Sequence, residues 1–182
     1  MMNSSLQDLC NLIANQGAEY AHRHKQLFLE IAKETTDKFI TEEQVDIVFK
    51  TFSFLNWAYA NGIWSNLNNT TLRRDLMAQS LKSIVLKTSY ELSVDKSNEG
   101  VAFFATVLDQ EFRELVLAYN ERIKQLAGEG MDPDANTATL IGLEWIQENL
   151  DLSDEDMNMI VPRFNNRAGD IAKIEELASQ VN

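Results

Sequence analysis

The sequence predicts an all-α protein, and three observations support this prediction. The chain of 182 residues contains only two prolines and seven glycines, which is too few for a fold of many strands joined by turns. Apolar residues recur at alternating spacings of three and four, the period of an amphipathic helix. The four longest segments of this kind are joined by short connections, which favours an antiparallel four-helix bundle as the core.

The first two helices of the predicted bundle have the clearest signals. Helix one runs to about Lys38, and Gly17 within its apolar seam predicts a close helix crossing or a break. The sequence Thr41-Glu42-Glu43-Gln44 is a capping box and predicts the start of helix two. This helix continues to about Leu67. Because it is apolar on more than one face, we expect it to lie at the centre of the fold.

The rest of the chain divides into two further long helices and three shorter ones. Turn and capping residues at 68–71 precede a helix that reaches Leu92. Residues 97–100 form a turn that precedes a helix over 101–127, and Gly128 is expected at the C-cap of this helix. The composition then shifts, which predicts a boundary between a bundle (1–128) and a smaller acidic helical subdomain (129–182). The predicted helices of this subdomain cover 137–149, 154–166 and 171–181, with Gly169 as a stop before the last.

The charge of the chain is concentrated in the subdomain. Residues 129–182 carry twelve acids and three bases, whereas residues 1–128 carry sixteen and thirteen. Such a field disfavours nucleic acid and anionic membranes and favours a protein partner with a basic surface. We expect a non-enzymatic binding module of the inhibitor, immunity or adaptor type. The densest acidic cluster supplies the expected partner-binding residues, which are Asp151, Asp154, Glu155 and Asp156.

The acidic cluster also has a purely structural interpretation. Ser153 is a good N-cap, and acids in the first turn of a helix complement the positive end of the helix dipole. Charge also keeps ordinary proteins soluble. The sequence therefore leaves open whether these acids bind a partner or only stabilise and solubilise the subdomain.

A second hypothesis concerns the aromatic residues of the second helix. Buried core, a homodimer interface and a pocket for an apolar ligand all use such side chains. In the last case the protein would be a small-molecule receptor or regulator. The residues that we assign to this pocket or interface are Phe52, Trp57, Tyr59 and Trp64. Asn56 and Asn61 lie on the same helix and must find hydrogen-bond partners.

Catalytic and metal-binding patterns are weak. Glu19 and His22 have the Glu-x-x-His spacing of di-metal bundles, but the only other histidine, His24, falls on a different face, in the apolar seam. We therefore expect His24 to be a core residue. Residues 132–136 imitate half of a calcium loop, without its glycine and its bidentate glutamate. No phosphate-binding loop or nucleophile elbow occurs. We expect no cofactor, metal or enzymatic activity, and a helical enzyme that uses carboxylates and a metal is a third hypothesis.

The expected location is the cytoplasm. Cys10 is the only cysteine, so an intramolecular disulfide is impossible, which favours a reducing compartment. The first residues lack the basic region and the apolar run of a signal peptide. The most apolar stretch, 45–67, contains charged and amide side chains. It therefore predicts a buried helix and not a membrane span.

Overall fold

A computed structural model of the chain describes residues 4–130, 135–169 and 172–181. Within these ranges the chain forms seven helices and no strand, so the prediction of an all-α fold is confirmed. No helix of the described ranges combines the length and the apolar character that crossing a membrane requires. The helices are α1 (Ser4–Thr35), α2 (Glu42–Trp64), α3 (Thr70–Leu92), α4 (Asn98–Gly128), α5 (Ala135–Asn149), α6 (Asp154–Arg167) and α7 (Ala172–Ala178).

Local capping residues set the starts of the helices. The Thr41 hydroxyl accepts a hydrogen bond from the Gln44 N–H at 3.2 Å, and the Gln44 side chain accepts one from the Thr41 N–H at 3.0 Å. This confirms the predicted capping box. Side chains of Asn69, Ser97 and Ser153 accept a backbone hydrogen bond at the starts of α3, α4 and α6, and at Ser153 this is again a capping box. Each satisfies a backbone N–H that has no partner within its helix.

The ends of the helices depart more from prediction. Helices α1 and α2 end at Thr35 and Trp64, about one turn before the predicted positions. Gly128 is the last residue of α4 and Glu129 is the C-cap, so the assignment of Gly128 as the C-cap was wrong by one residue. Gly130 has the left-handed backbone, with φ +81°, that ends many helices. Gly169 also has positive φ, +71°, and follows α6 as predicted.

Helix α2 lies at the centre of the described structure, as its apolar character predicts. It packs against α1, α3, α5 and α7. Two glycines allow neighbouring helices to approach it closely. A Cβ atom on Gly17 of α1 would lie 3.3 Å from Cβ of Asn56, and one on Gly142 of α5 would lie 2.4 Å from Cδ1 of Leu55. The crossing predicted at Gly17 is therefore confirmed, and α1 continues through it without a break.

The predicted antiparallel four-helix bundle is not confirmed. Helix α4 packs mainly against α3 and α5 and buries only four residues. Helices α5 and α7 pack on α2, and α6 and α7 pack on α1. The boundary at Gly128 stays a prediction, but the three C-terminal helices contribute directly to the cores around α1 and α2.

Three apolar clusters hold the helices together. The first joins α1, α2, α5 and α6 around Phe28, Phe52 and Phe164. The second joins α1, α2, α3 and α7 around Trp64 and Leu76. The third lies where α4 and α3 meet α2, around Phe54 and Phe112. Burial of such aromatic and aliphatic side chains is the main favourable contribution to folding.

Candidate functional site

The structure divides the four predicted partner-binding acids between different roles. Asp151 follows α5 with φ +50°, and its fully exposed carboxylate lies 3.7 Å from Nζ of Lys38. Asp154 accepts a hydrogen bond from the Gln147 side chain at 2.8 Å. Glu155 is exposed on α6, and its side chain makes no hydrogen bond or ion pair with another described residue.

Asp156 has the structural role that the sequence left open. Its Oδ2 accepts hydrogen bonds from both the N–H and the hydroxyl of Ser153, each at 2.9 Å. The backbone hydrogen bond from Ser153 lowers the pKa of the Asp156 carboxyl. The Ser153 hydroxyl in turn accepts from the Asp156 N–H at 3.1 Å. Asp156 therefore belongs to a capping box that starts α6.

A groove between α4 and α5, which we call the α4–α5 groove, brings further acids together with Asp151. Its volume is about 750 Å³. The first wall comes from the last third of α4, and the second from α5 together with Asp151 and Leu152, which follow it. The groove is lined by Ala118, Glu121, Arg122, Gln125, Glu144, Trp145, Gln147, Glu148, Asp151 and Leu152.

The α4–α5 groove has a net negative charge, because four carboxylates face one guanidinium. Arg122 forms a salt bridge with Glu144, in which Nη2 donates to Oε1 at 3.1 Å and Nε donates to Oε2 at 3.3 Å. This bidentate pair raises the pKa of Arg122. Glu121 and Glu148 make no ion pair with any described residue, and Asp151 has only the long contact to Lys38. Two or three carboxylates are therefore available to an incoming cation.

Trp145 forms an apolar part of the α4–α5 groove. It is half-buried, and its ring packs 5.5 Å from that of Phe54 in the third cluster. Trp145 also lines a smaller neighbouring cavity of about 380 Å³, where Glu111 pairs with Lys50 at 2.8 Å. Sequence reasoning missed Trp145 and Glu148. The signal was present, since an aromatic residue and an acid three positions apart lie on one face of a helix.

The four aromatic residues predicted for a pocket or interface are separated by the structure. Trp64 is fully buried in the second cluster, and its indole N–H donates to the Ala178 carbonyl at 3.0 Å. Trp57 is buried in the third cluster and donates to the Ser80 hydroxyl at 3.1 Å. Only Phe52 and Tyr59 share a cavity. Homodimerisation stays a prediction.

The cavity that Phe52 and Tyr59 share lies between α1, α2, α5 and α6, and we call it the His24 cavity. Its volume is about 540 Å³. Helix α1 contributes His24, α2 contributes Leu55 and Asn56, and α5 and α6 complete the wall with mostly apolar side chains. Desolvation by burial lowers the pKa of His24. The prediction that His24 is a core residue is confirmed, although it also lines a cavity.

The weak metal-binding patterns considered in the sequence do not come together in the described ranges. His22 lies 3.3 Å from Oε2 of Glu91, which also binds Lys87 at 2.8 Å, whereas Glu19 accepts from Gln16. Across the described ranges, no three histidine, cysteine or acidic side chains are grouped as metal ligands would be. Residues 131–134, which include the start of the calcium-like sequence, lie outside the described residues.

Two of the concave sites differ clearly in their chemistry. The α4–α5 groove is open, acidic and partly aromatic, and the His24 cavity is more enclosed and mainly apolar. No protein-family model, no curated protein and no solved structure matches the chain.

Proposed function

We propose that the protein is a non-enzymatic binding module that docks a basic segment of a partner protein in the α4–α5 groove. The observation that carries this proposal is the pair of carboxylates, Glu121 and Glu148, that lie in a groove without an ion-pair partner among the described residues. Complementary charge across an interface steers association and disfavours wrong partners. The net charge of −12 acts in the same direction over longer range.

The chemistry of the groove favours arginine or lysine side chains over other ligands. A cation placed over an indole ring is stabilised by the ring quadrupole, and Trp145 is partly exposed beside Glu148. An alkyl stem can also lie along Leu152 and Ala118, while its charged end reaches a carboxylate. A segment with several basic residues would use both features together.

The contact residues expected in the groove differ from the four acids predicted from the sequence. Asp151 remains, and Asp154 stays close because it holds the Gln147 side chain at the groove. Asp156 is occupied by its cap, and Glu155 does not line the groove. Glu121 and Glu148 replace these two as expected partner contacts.

The test uses the full chain and a fluorescein-labelled hexa-arginine peptide, followed by anisotropy. The groove variant carries Glu121→Gln, Glu148→Gln and Asp151→Asn. Because each exposed charge contact contributes roughly 0.2–1 kcal/mol, we expect about tenfold weaker binding. We also expect the peptide to change the tryptophan emission, and Trp145→Phe to remove this change.

The matched control carries Glu34→Gln, Glu99→Gln and Glu155→Gln. These three residues are exposed and lie outside the groove, so both variants lose the same amount of negative charge. We expect the control to keep nearly full affinity at about 0.15 M salt, where distant charges are screened. Equal loss in the two variants would mean that only net charge attracts the peptide, and would contradict the proposal.

A further inference from the structure

The His24 cavity contains two hydrogen-bond acceptors to which no residue of the described ranges donates. The Asn56 side chain donates through Nδ2 to the Gly17 carbonyl at 2.8 Å. His24 Nε2 lies 3.1 Å from the Ala168 carbonyl oxygen. A carbonyl only accepts, so Nε2 carries the proton and Nδ1 of the neutral ring is an acceptor. No described residue donates to Nδ1 of His24 or to Oδ1 of Asn56, although both side chains are at least nine-tenths buried, with exposures of 8% and 3%.

From this arrangement we propose that the His24 cavity binds a neutral, mainly apolar small molecule that donates a hydrogen bond to these acceptors. Phenols, alcohols and N–H heterocycles belong to this chemical class. The volume of about 540 Å³ is within the range of small-molecule sites, which combine apolar walls with a few polar groups. The α4–α5 groove has no lining residue in common with this cavity, so the inference does not depend on the proposed function.

The walls favour an aromatic or aliphatic body for the ligand. The Phe52 and Phe164 rings stack with their centroids 5.4 Å apart. Leu55, Leu143 and Val161 complete much of the remaining surface. Contact with such side chains removes apolar surface from water, which is the main source of affinity in sites of this kind.

The walls also exclude a charged ligand. No carboxylate, ammonium or guanidinium group belongs to the described lining of the cavity. A charge buried there would lose its hydration without gaining a counter-ion. The lowered pKa of His24 is consistent with this, because the same surroundings disfavour a charge on the imidazole.

The experiment uses two probes that differ in one hydrogen-bond donor, 4-propylphenol and 4-propylanisole. Each is titrated into the full chain by calorimetry. We expect 4-propylphenol to saturate one site and 4-propylanisole to bind roughly three- to tenfold more weakly, because a single hydrogen bond makes this difference. Equal affinity for both probes would overturn the assignment of an acceptor wall.

Two exposed positions supply a matched pair of variants. Asn165 lines the cavity and Asn166 does not, although both are exposed on α6. We expect Asn165→Trp to fill the cavity and to lower the affinity for 4-propylphenol at least tenfold, and Asn166→Trp to leave it unchanged. Circular dichroism verifies the folding of both variants. Absence of saturable binding up to about 1 mM, or binding that survives Asn165→Trp, would overturn the proposal.

Discussion

Nε2 of His24 in α1 lies 3.1 Å from the carbonyl oxygen of Ala168, directly after the last residue of α6. This contact joins two helices separated by most of the chain, and it selects the tautomer that is protonated on Nε2. His24 also packs edge-on against Phe52 and Phe164. A charge on this ring would have no counter-ion among these neighbours.

The first prediction is that His24 titrates at lower pH than an ordinary histidine. Desolvation by burial lowers its pKa from the usual value of about 6.5. The His22→Gln variant leaves His24 as the only histidine, so its Cε1 proton can be followed by NMR without ambiguity. A midpoint at or above 6.5 would contradict the burial that the structure gives to this ring.

The same shift predicts how stability depends on pH. Because the folded pKa of His24 is depressed, the unfolded state binds more protons below about pH 6.5. The contribution of His24 to the free energy of unfolding is therefore complete above that pH and is lost as the pH falls. Urea unfolding of the His22→Gln variant between pH 8 and 5 should show a falling midpoint. A midpoint that rises over this interval would be inconsistent with the prediction.

A second prediction concerns the reactivity of Cys10. The thiol is fully buried, and desolvation raises its pKa to about 11. Since the thiolate is the reactive form, we expect the folded chain at pH 8 to react with a disulfide reagent at least roughly 100-fold more slowly than the chain in guanidinium. A Cys10→Ala/Ser179→Cys variant is the control, because Ser179 is exposed. Its thiol should react rapidly in the folded state.

Above about pH 9 the Cys10 thiol should also lower stability. Its folded pKa exceeds its unfolded value, so the unfolded chain releases this proton first and is favoured as the pH rises. We therefore expect the Cys10→Ala variant to lose less stability than the parent between pH 9 and 11. Equal slopes in the two proteins would count against a buried thiol.

A third prediction tests the crossing of α1 and α2. In Gly17→Ala the new Cβ would lie 3.3 Å from Cβ of Asn56, so Asn56 or the backbone of α1 must shift by a few tenths of an ångström. We expect a loss of about 1–3 kcal/mol in the free energy of unfolding, measured by urea titration. Gly62→Ala in α2 is the control, since no atom lies within 4 Å of its new Cβ. Gly62→Ala should raise the free energy of unfolding by up to about 1 kcal/mol, because alanine has a higher helix propensity than glycine.

A fourth prediction concerns the attachment of α7. Trp64→Phe removes the N–H that donates to the Ala178 carbonyl at 3.0 Å and leaves a buried acceptor unpaired. A loss of about 1–3 kcal/mol is typical of this change. Hydrogen exchange should then accelerate in α7. The control is Trp57→Phe, which removes a comparable donor next to Ser80. In this variant the hydrogen-exchange rate of α7 should equal that of the parent chain.

The sequence predicted the helices well because their signals are local. The capping residues Thr41, Asn69 and Ser153 need only a few neighbours in the chain to be interpreted. The packing of the helices is not encoded locally, so neither the position of α6 on α1 nor the limited burial of α4 could be predicted. The α4–α5 groove depends on this packing, because Glu121 and Glu148 belong to different helices.

One part of the site could have been predicted from helix geometry. Phe52 and Tyr59 are seven residues apart, as are Trp57 and Trp64, and this spacing places the members of each pair on one face. Five residues separate Phe52 from Trp57, which is a rotation of about 140° around the helix. A single pocket could not collect all four side chains. The structure places only Phe52 and Tyr59 in the His24 cavity.

The second cluster joins Leu9, Cys10 and Ile13 of α1 to Ile174 and Leu177 of α7. During translation the first of these residues leave the ribosome long before the last. At typical rates, roughly 10 to 30 s pass while the intervening chain is made. Over that interval the early turns of α1 and the indole of Trp64 lack the helix that covers them. A nascent chain therefore exposes this apolar surface until α7 has emerged.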